Sequence, residues 1–164
     1  MIDAFGLTAL DLRTKHPAVF QWLQERVKPE RDQNPRPSRR DQWWIFGEPC
    51  SKFRAALPPL THYIATVKTA KHRLFQQLDA NVLPDSKLIA IVLGDSFFLG
   101  VLSSTAHQHW ALATGSTLED RPTYVKTVCF EAFPFPDEDT GLTPQLRERI
   151  AQLAEQIDAH RKRV

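Results

Sequence analysis

The segment that most constrains the fold is Lys87–Leu93, KLIAIVL, an unbroken apolar run rich in β-branched residues and bracketed by Pro84-Asp85 and Gly94-Asp95. Its length and flanking turn residues make it a buried strand rather than a helix. A strand needs partners to satisfy its backbone. The chain offers two upstream, Tyr63–Val67 and Leu74–Leu78, with turn-length links between them. Downstream, Asp95 or Ser96 caps a helix in which Phe98, Val101, Leu102, Thr105, Ala106, His109 and Ala113 recur at helical spacing, with Gly115 as its stop. A last helix opens on Thr143 as N-cap and Pro144 at the first helical position. Leu146, Ile150, Leu153 and Ile157 form one apolar stripe, and the helix ends in His160-Arg161-Lys162-Arg163. The fold class expected is α+β: a small mixed or antiparallel sheet with packed helices, an N-terminal helical spacer and a C-terminal amphipathic helix.

Ahead of the sheet, Val19, Phe20, Leu23 and Val27 give an amphipathic helix over Ala18–Arg31, followed by the breaker Asn34-Pro35-Arg36-Pro37-Ser38. Trp43–Phe46 reads as a strand or a buried anchor, and Cys50–Leu57 as one or two helical turns. Residues 116–122 read as a loop. Tyr124–Phe135 reads as extended chain, because Phe133-Pro134-Phe135-Pro136 cannot lie inside a helix. The expected organisation is a helical spacer and linker over 1–40, a recognition domain over 41–136 and a C-terminal helix over 137–164.

With 42% hydrophobic and 24% charged residues, the chain has the composition of an ordinary globular domain. No apolar run is long enough to span a membrane, and no basic-then-apolar leader opens the sequence. Cys50 and Cys129 stand far apart, which suits buried or semi-buried thiols in a reducing cytoplasm rather than a disulfide framework. The net charge of +2 says little, but its distribution says more. From Pro49 to Leu78 there is no Asp or Glu, while Lys52, Arg54, Lys68, Lys71, Arg73, His62 and His72 fall in that stretch. Such a segment suits either a phosphate-tracking surface or a solvated basic face.

Catalytic motifs are missing. There is no Gly-rich cofactor loop, no P-loop and no [D/N]-P-P-[Y/F] tetrapeptide for amino methylation; Asn34-Pro35-Arg36-Pro37 shares only its first two residues with that motif. Pro84-Asp85-Ser86-Lys87 lacks the following carboxylate and lysine of a nuclease and reads as a turn. His107 and His109 lie two apart on a helix and diverge, so one is expected buried and one exposed, with no metal site.

Five segments, in order, resemble the spacer and target-recognition region of MmeI-like adenine-specific DNA methyltransferases of the type IIG restriction–modification kind. They are HPAVFQWLQERVKPERDQN from His16, WWIFGEP from Trp43, YIATVKTAKHRLFQQLDANVLPDSKL from Tyr63, GVLSSTAHQHWALATG from Gly100 and LEDRPTYVKTVCFEAFPFP from Leu118. The resemblance implies a C-terminal, DNA-reading part of a larger enzyme. In that family an upstream domain binds S-adenosylmethionine and methylates adenine N6, so this chain itself would carry no cofactor. The implied partners are double-stranded DNA and that catalytic domain.

Within this frame Lys68, Lys71, His72 and Arg73 are candidates for phosphate contact. Thr114, Ser116, Glu119, Arg121 and Lys126, the last with its neighbour Thr127, are candidates for base readout. Glu119 is suited to a cytosine amine and Arg121 to the guanine edge. Glu119, Asp120 and Arg121 also suit a local salt-bridged turn before Pro122. The competing expectation is a scaffold, in which the helices over Ala18–Arg31 and Thr143–Arg163 dock on a separate catalytic domain and the chain has little DNA affinity of its own.

Overall fold

The computed structural model describes residues 2–163, so the outermost residues of the first and last expected segments lie outside it. The chain divides into two compact units, one up to Ser51 and one from Lys52 onward.

The first unit is helical: α1 (Ala9–Lys15), α2 (Pro17–Arg26), α3 (Lys28–Asp32) and α4 (Pro37–Asp41). Thr8 opens α1 with a reciprocal capping box, its hydroxyl accepting from Asp11 N while Asp11 accepts from Thr8 N. The single helix expected over Ala18–Arg31 is broken at Val27 into α2 and α3. Pro29 has no N–H to continue the ladder and instead sits in the first turn of α3. Trp43–Phe46 is not a strand but an anchor held by Trp43, which is buried, while Trp44 and Ile45 are partly buried and Phe46 is exposed. Trp43 packs edge-on to Phe20 at 5.6 Å, and Trp44 Nε1 donates to Leu7 O at 2.9 Å. With Ala4, Leu12 and Leu23 these rings form the unit's core.

The second unit holds all but the first residue of α5 (Ser51–Ala56), followed by β1 (His62–Val67), β2 (Gln76–Asp79) and β3 (Leu88–Ile91). The three strands form an antiparallel sheet in the order β2-β1-β3. Registers such as Ile64 opposite both Gln77 and Ile91 put β1 in the middle. Side chains alternate across the sheet. Tyr63 and Ala65 join Leu57 and Phe53 on one face. Ile64 joins Phe75, Leu99, Leu102, Tyr124 and Ala154 on the other. Asp85 Oδ1 accepts from Lys87 N at 2.9 Å, so the Pro84–Lys87 stretch is a turn leading into β3.

The helix expected from Asp95 to Gly115 is two helices, α6 (Ser96–Ser103) and α7 (Thr105–Thr114). Asp95 caps the first by accepting from Phe97 N. Ser104 turns extended and caps the second by accepting from His107 N at 3.2 Å. A serine that can bond the next turn's backbone competes with continuing the helix, although the apolar periodicity runs straight across. The expected loop over 116–122 is a hairpin of β4 (Ser116–Leu118) and β5 (Arg121–Thr123). Tyr124–Phe135 is extended only in part. Lys126–Phe130 forms a π-helical turn with Glu131 N donating to Lys126 O, because the prolines at 134 and 136 constrain only the end of the segment. Cys129 is buried in that turn, in line with the expectation, whereas Cys50, expected to be buried or semi-buried, is exposed.

The last helix, α8 (Pro144–Arg161), has the expected Thr143 cap and Pro144 start, but a different inner face. Leu146, Leu153 and Ile157 remain 52%, 41% and 40% exposed, while Ala154 and Asp158 are buried. The inward line runs Ile150, Ala154, Asp158, Arg161. Its upper half crosses α6 at Gly100, where an added Cβ would lie 2.6 Å from Ile150 Cγ2 and 3.0 Å from Ile150 O. Its lower half meets the outer edge of β2. Gln77 N donates to Asp158 Oδ1 at 3.1 Å, and Arg161 Nη1 donates to Phe75 O at 2.7 Å. One carboxylate and one guanidinium thus satisfy the strand's outward N–H and C=O. Lys162 neutralises Asp158 at 2.6 Å. Asp158→Ala is expected to cost about 1–3 kcal/mol in urea unfolding, since it strands a buried N–H. A loss below ~0.5 kcal/mol would mean that water replaces the carboxylate there.

Candidate nucleic-acid interface

The two groups of residues singled out for DNA contact come from distant parts of the chain, and the fold joins them. After β1 the chain turns through residues 68–74 and runs alongside β5. Tyr124 N donates to Lys68 O at 2.8 Å and Ala70 N donates to Pro122 O at 3.2 Å. Thr69 and Thr123 bridge in antiparallel fashion, their hydroxyls 3.1 Å apart. The basic segment and the hairpin therefore share one surface. Between them and α7 lies a cleft of about 360 Å³, bordered by Lys71, His72, Gln108, Leu112, Pro122 and Tyr124.

Lys68, Lys71 and His72 are exposed, and their side chains form no ion pair among the described residues. Arg73 differs from them. Its guanidinium donates to Val67 O, to Pro122 O at 3.2 Å, to Lys68 O at 3.5 Å and to Thr66 Oγ1 at 3.3 Å. It also lies 5.2 Å from the centre of the Tyr124 ring. Its guanidinium donors are occupied within the protein, which leaves Lys68, Lys71 and His72 as the segment's exposed basic side chains.

On the hairpin, Ser116 and Arg121 are exposed on the strands and Glu119 sits at the turn. Glu119 and Arg121 form an ion pair at 2.5 Å, the salt-bridged turn weighed from sequence. Both are solvent-exposed, so the pair contributes only about 0–1 kcal/mol and opens readily to another partner. Glu119 has φ +58, a left-handed conformation that disfavours side chains. Thr114 is less available than expected. Its hydroxyl donates back to Trp110 O at 2.8 Å, within its own helix. Lys126 and Thr127 are exposed at the start of the π-helical turn, just after the hairpin.

Several residues that hold this arrangement carried no local signal in the sequence. Gly115 was legible only as a helix stop. A Cβ there would meet Ala111 O at 2.6 Å and Thr123 O at 2.8 Å, so glycine is needed where α7 passes directly into β4. Beneath the cleft, Tyr124 Oη lies 2.9 Å from His107 Nε2, and both side chains are fully or almost fully buried. Burial lowers the pKa of His107 to about 4, with the Arg73 charge adding to the effect, and pushes the Tyr124 hydroxyl up. His109 is exposed, so the two histidines diverge as their spacing requires.

Fold and surface together define an α+β module that holds an exposed hairpin and a basic segment on a well-packed base. The chain belongs to the family described as the MmeI target recognition domain, whose model matches residues 52–137. A solved structure of the type IIL restriction-modification enzyme MmeI in complex with DNA has the same fold. It aligns with a TM-score of 0.70 over 99% of this chain at 19% identity. The chain spans 21% of that protein's length. A comparison with curated proteins gives no match.

Proposed function

We propose that this chain reads a DNA sequence in the major groove, as the specificity-giving part of a restriction–modification enzyme that methylates adenine at N6. The observation that carries the reading is the bonded junction between the 68–72 segment and the β4–β5 hairpin, in a chain of the MmeI target recognition family. Lys68, Lys71 and His72 contact phosphates and fix the register. Arg121 and Glu119 leave their mutual ion pair for base edges, Arg121 towards guanine and Glu119 towards a cytosine amine. Ser116, Lys126 and Thr127 flank them. Methyl transfer from S-adenosylmethionine belongs to a separate catalytic domain of the type IIG kind in the same cytoplasmic enzyme.

Lys71→Ala should weaken binding to all duplexes alike and lower the salt slope by about one. Arg121→Ala should instead relax preference at one base pair by ~1–3 kcal/mol. Binding isotherms on duplexes at several salt concentrations, with the catalytic domain supplied, separate the two. A uniform loss in both variants would show that the hairpin does not read bases.

A docking reading draws on the exposed Leu146, Leu153 and Ile157 of α8 and on Trp22 of α2, which are large apolar side chains left in solvent. Salt-insensitive, sequence-indifferent binding in the same titration would favour it over DNA reading.

A further inference from the structure

Arg73 lies in the basic segment, yet its geometry is that of a clamp. A guanidinium presents a planar fork of donors, and here the fork spans two separate pieces of chain. Nη1 donates to Val67 O at the end of β1, and Nη2 donates to Lys68 O just beyond it. The same Nη2 also donates to Pro122 O in β5, so one nitrogen bridges the two pieces of chain. Two of these carbonyls are already used in the junction, Lys68 O by Tyr124 N and Pro122 O by Ala70 N. Arg73 therefore ties together the bonds that attach the hairpin to the sheet. The attachment is otherwise slight: β5 has three residues, and Thr69–Thr123 is an isolated bridge.

The guanidinium is fixed in turn from below. It stacks on the Tyr124 ring, and the Tyr124 hydroxyl is held by His107. His107 is wedged among aromatic rings, with Phe133 at 4.5 Å and Phe75 at 5.6 Å between centroids. A buried stack thus runs from the aromatic core through His107 and Tyr124 to Arg73 and ends between the two DNA-facing elements.

We propose that Arg73, braced by Tyr124 and His107, is a positioning residue. It holds the basic segment and the hairpin at one separation, so that the phosphate register set by Lys68, Lys71 and His72 determines which base edges Arg121 and Glu119 meet. This rests on the DNA-reading function proposed above. Lysine at position 73 preserves the charge but cannot bridge three carbonyls, so it distinguishes positioning from simple phosphate attraction.

The test has two arms. In the absence of DNA, spin labels are placed at Lys71→Cys and Asp120→Cys in a Cys50→Ser background, and the inter-label distance distribution is measured. It should be narrow in the parent and at least about twice as wide with Arg73→Lys, as expected when a preorganised site loses its support. An unchanged width overturns the clamp. In the second arm, the unlabelled full chain selects from a pool of randomised duplexes. Arg73→Lys should lower discrimination between the enriched sequence and the pool by ~10-fold, equivalent to about 1.4 kcal/mol. Discrimination equal to that of the parent overturns the positioning role. Tyr124→Phe keeps the ring and removes only the hydroxyl bonded to His107. It should move both readouts in the same direction by a smaller factor, and it carries the test if Arg73→Lys does not fold. A parent chain that enriches no sequence, with the distance arm behaving as expected, would sink the DNA-reading function and leave the clamp standing.

Discussion

Replacing Phe75 by alanine is expected to cost about 3–5 kcal/mol of unfolding free energy, enough to leave a domain of this size marginal. Phe75 is fully buried and packs edge-on against both His107 and Tyr124, at 5.6 Å and 5.5 Å between centroids. Removing the ring opens a void beneath the stack that supports Arg73. The surrounding groups cannot collapse into it easily, because β1 fixes one wall and Tyr124 is bonded to His107. Phe75→Leu, which fills more of the space, should recover a good part of the loss. Equilibrium urea denaturation of the three proteins measures this. An alanine variant within ~1 kcal/mol of the parent would show that the site relaxes and that the ring is not central to the core.

The second large effect is a loss of stability in mild acid. In the folded protein His107 titrates at about 4, against 6.5 for an ordinary histidine. Its Nδ1 is buried with no hydrogen-bond partner among the described residues, so an imidazolium there would hold an N–H without an acceptor, close to the Arg73 charge. Between those two values the unfolded chain binds a proton that the folded chain refuses. Stability therefore rises with pH in that window: the contribution is fully present above about pH 6.5 and is lost as pH falls towards 4. The whole span corresponds to roughly 3 kcal/mol. Urea midpoints at pH 7.5, 5.5 and 4.5 should fall steeply for the parent and less for His107→Gln, which keeps a polar group beside Tyr124 and does not titrate. Parallel curves would place the acid sensitivity elsewhere in the molecule.

The features read correctly from the sequence are those whose causes are local. Thr143 and Pro144 announce the start of α8, Asp95 caps α6, and Lys87–Leu93 contains β3, because each depends on a few neighbouring residues. The misreadings have causes just as specific. Ser104 divides a helix whose apolar period never breaks. The hairpin at 116–123 turns on Glu119-Asp120 rather than on Asn-Gly or Asp-Gly, and it carries Pro122 in a strand, so nothing in its composition signals strands. Leu146, Ile150, Leu153 and Ile157 form one apolar stripe in the sequence, yet the helix turns Asp158 and Arg161 to the sheet, where they satisfy backbone groups.

The candidate site shows the same division. The sequence singles out Lys71 and Arg121 as residues of the right chemistry, and the fold brings their segments together. It gives no hint that Arg73, one residue beyond His72, faces inward to backbone carbonyls. That depends on Pro122 and Tyr124 arriving from some fifty positions away, a pairing set by tertiary structure alone.

The way α8 closes the edge of β2 bears on how such a recognition unit can be moved between proteins. The family's match ends at residue 137, before α8 begins at Pro144. A graft cut at that point would leave Gln77 N–H and Phe75 C=O facing outward on a bare strand. Such an edge invites a second chain to pair with it, and the graft would tend to self-assemble edge to edge rather than remain a single recognition unit. The portable piece is therefore longer than the part that faces the proposed target. The final helix belongs with it as the guard of the sheet's open side.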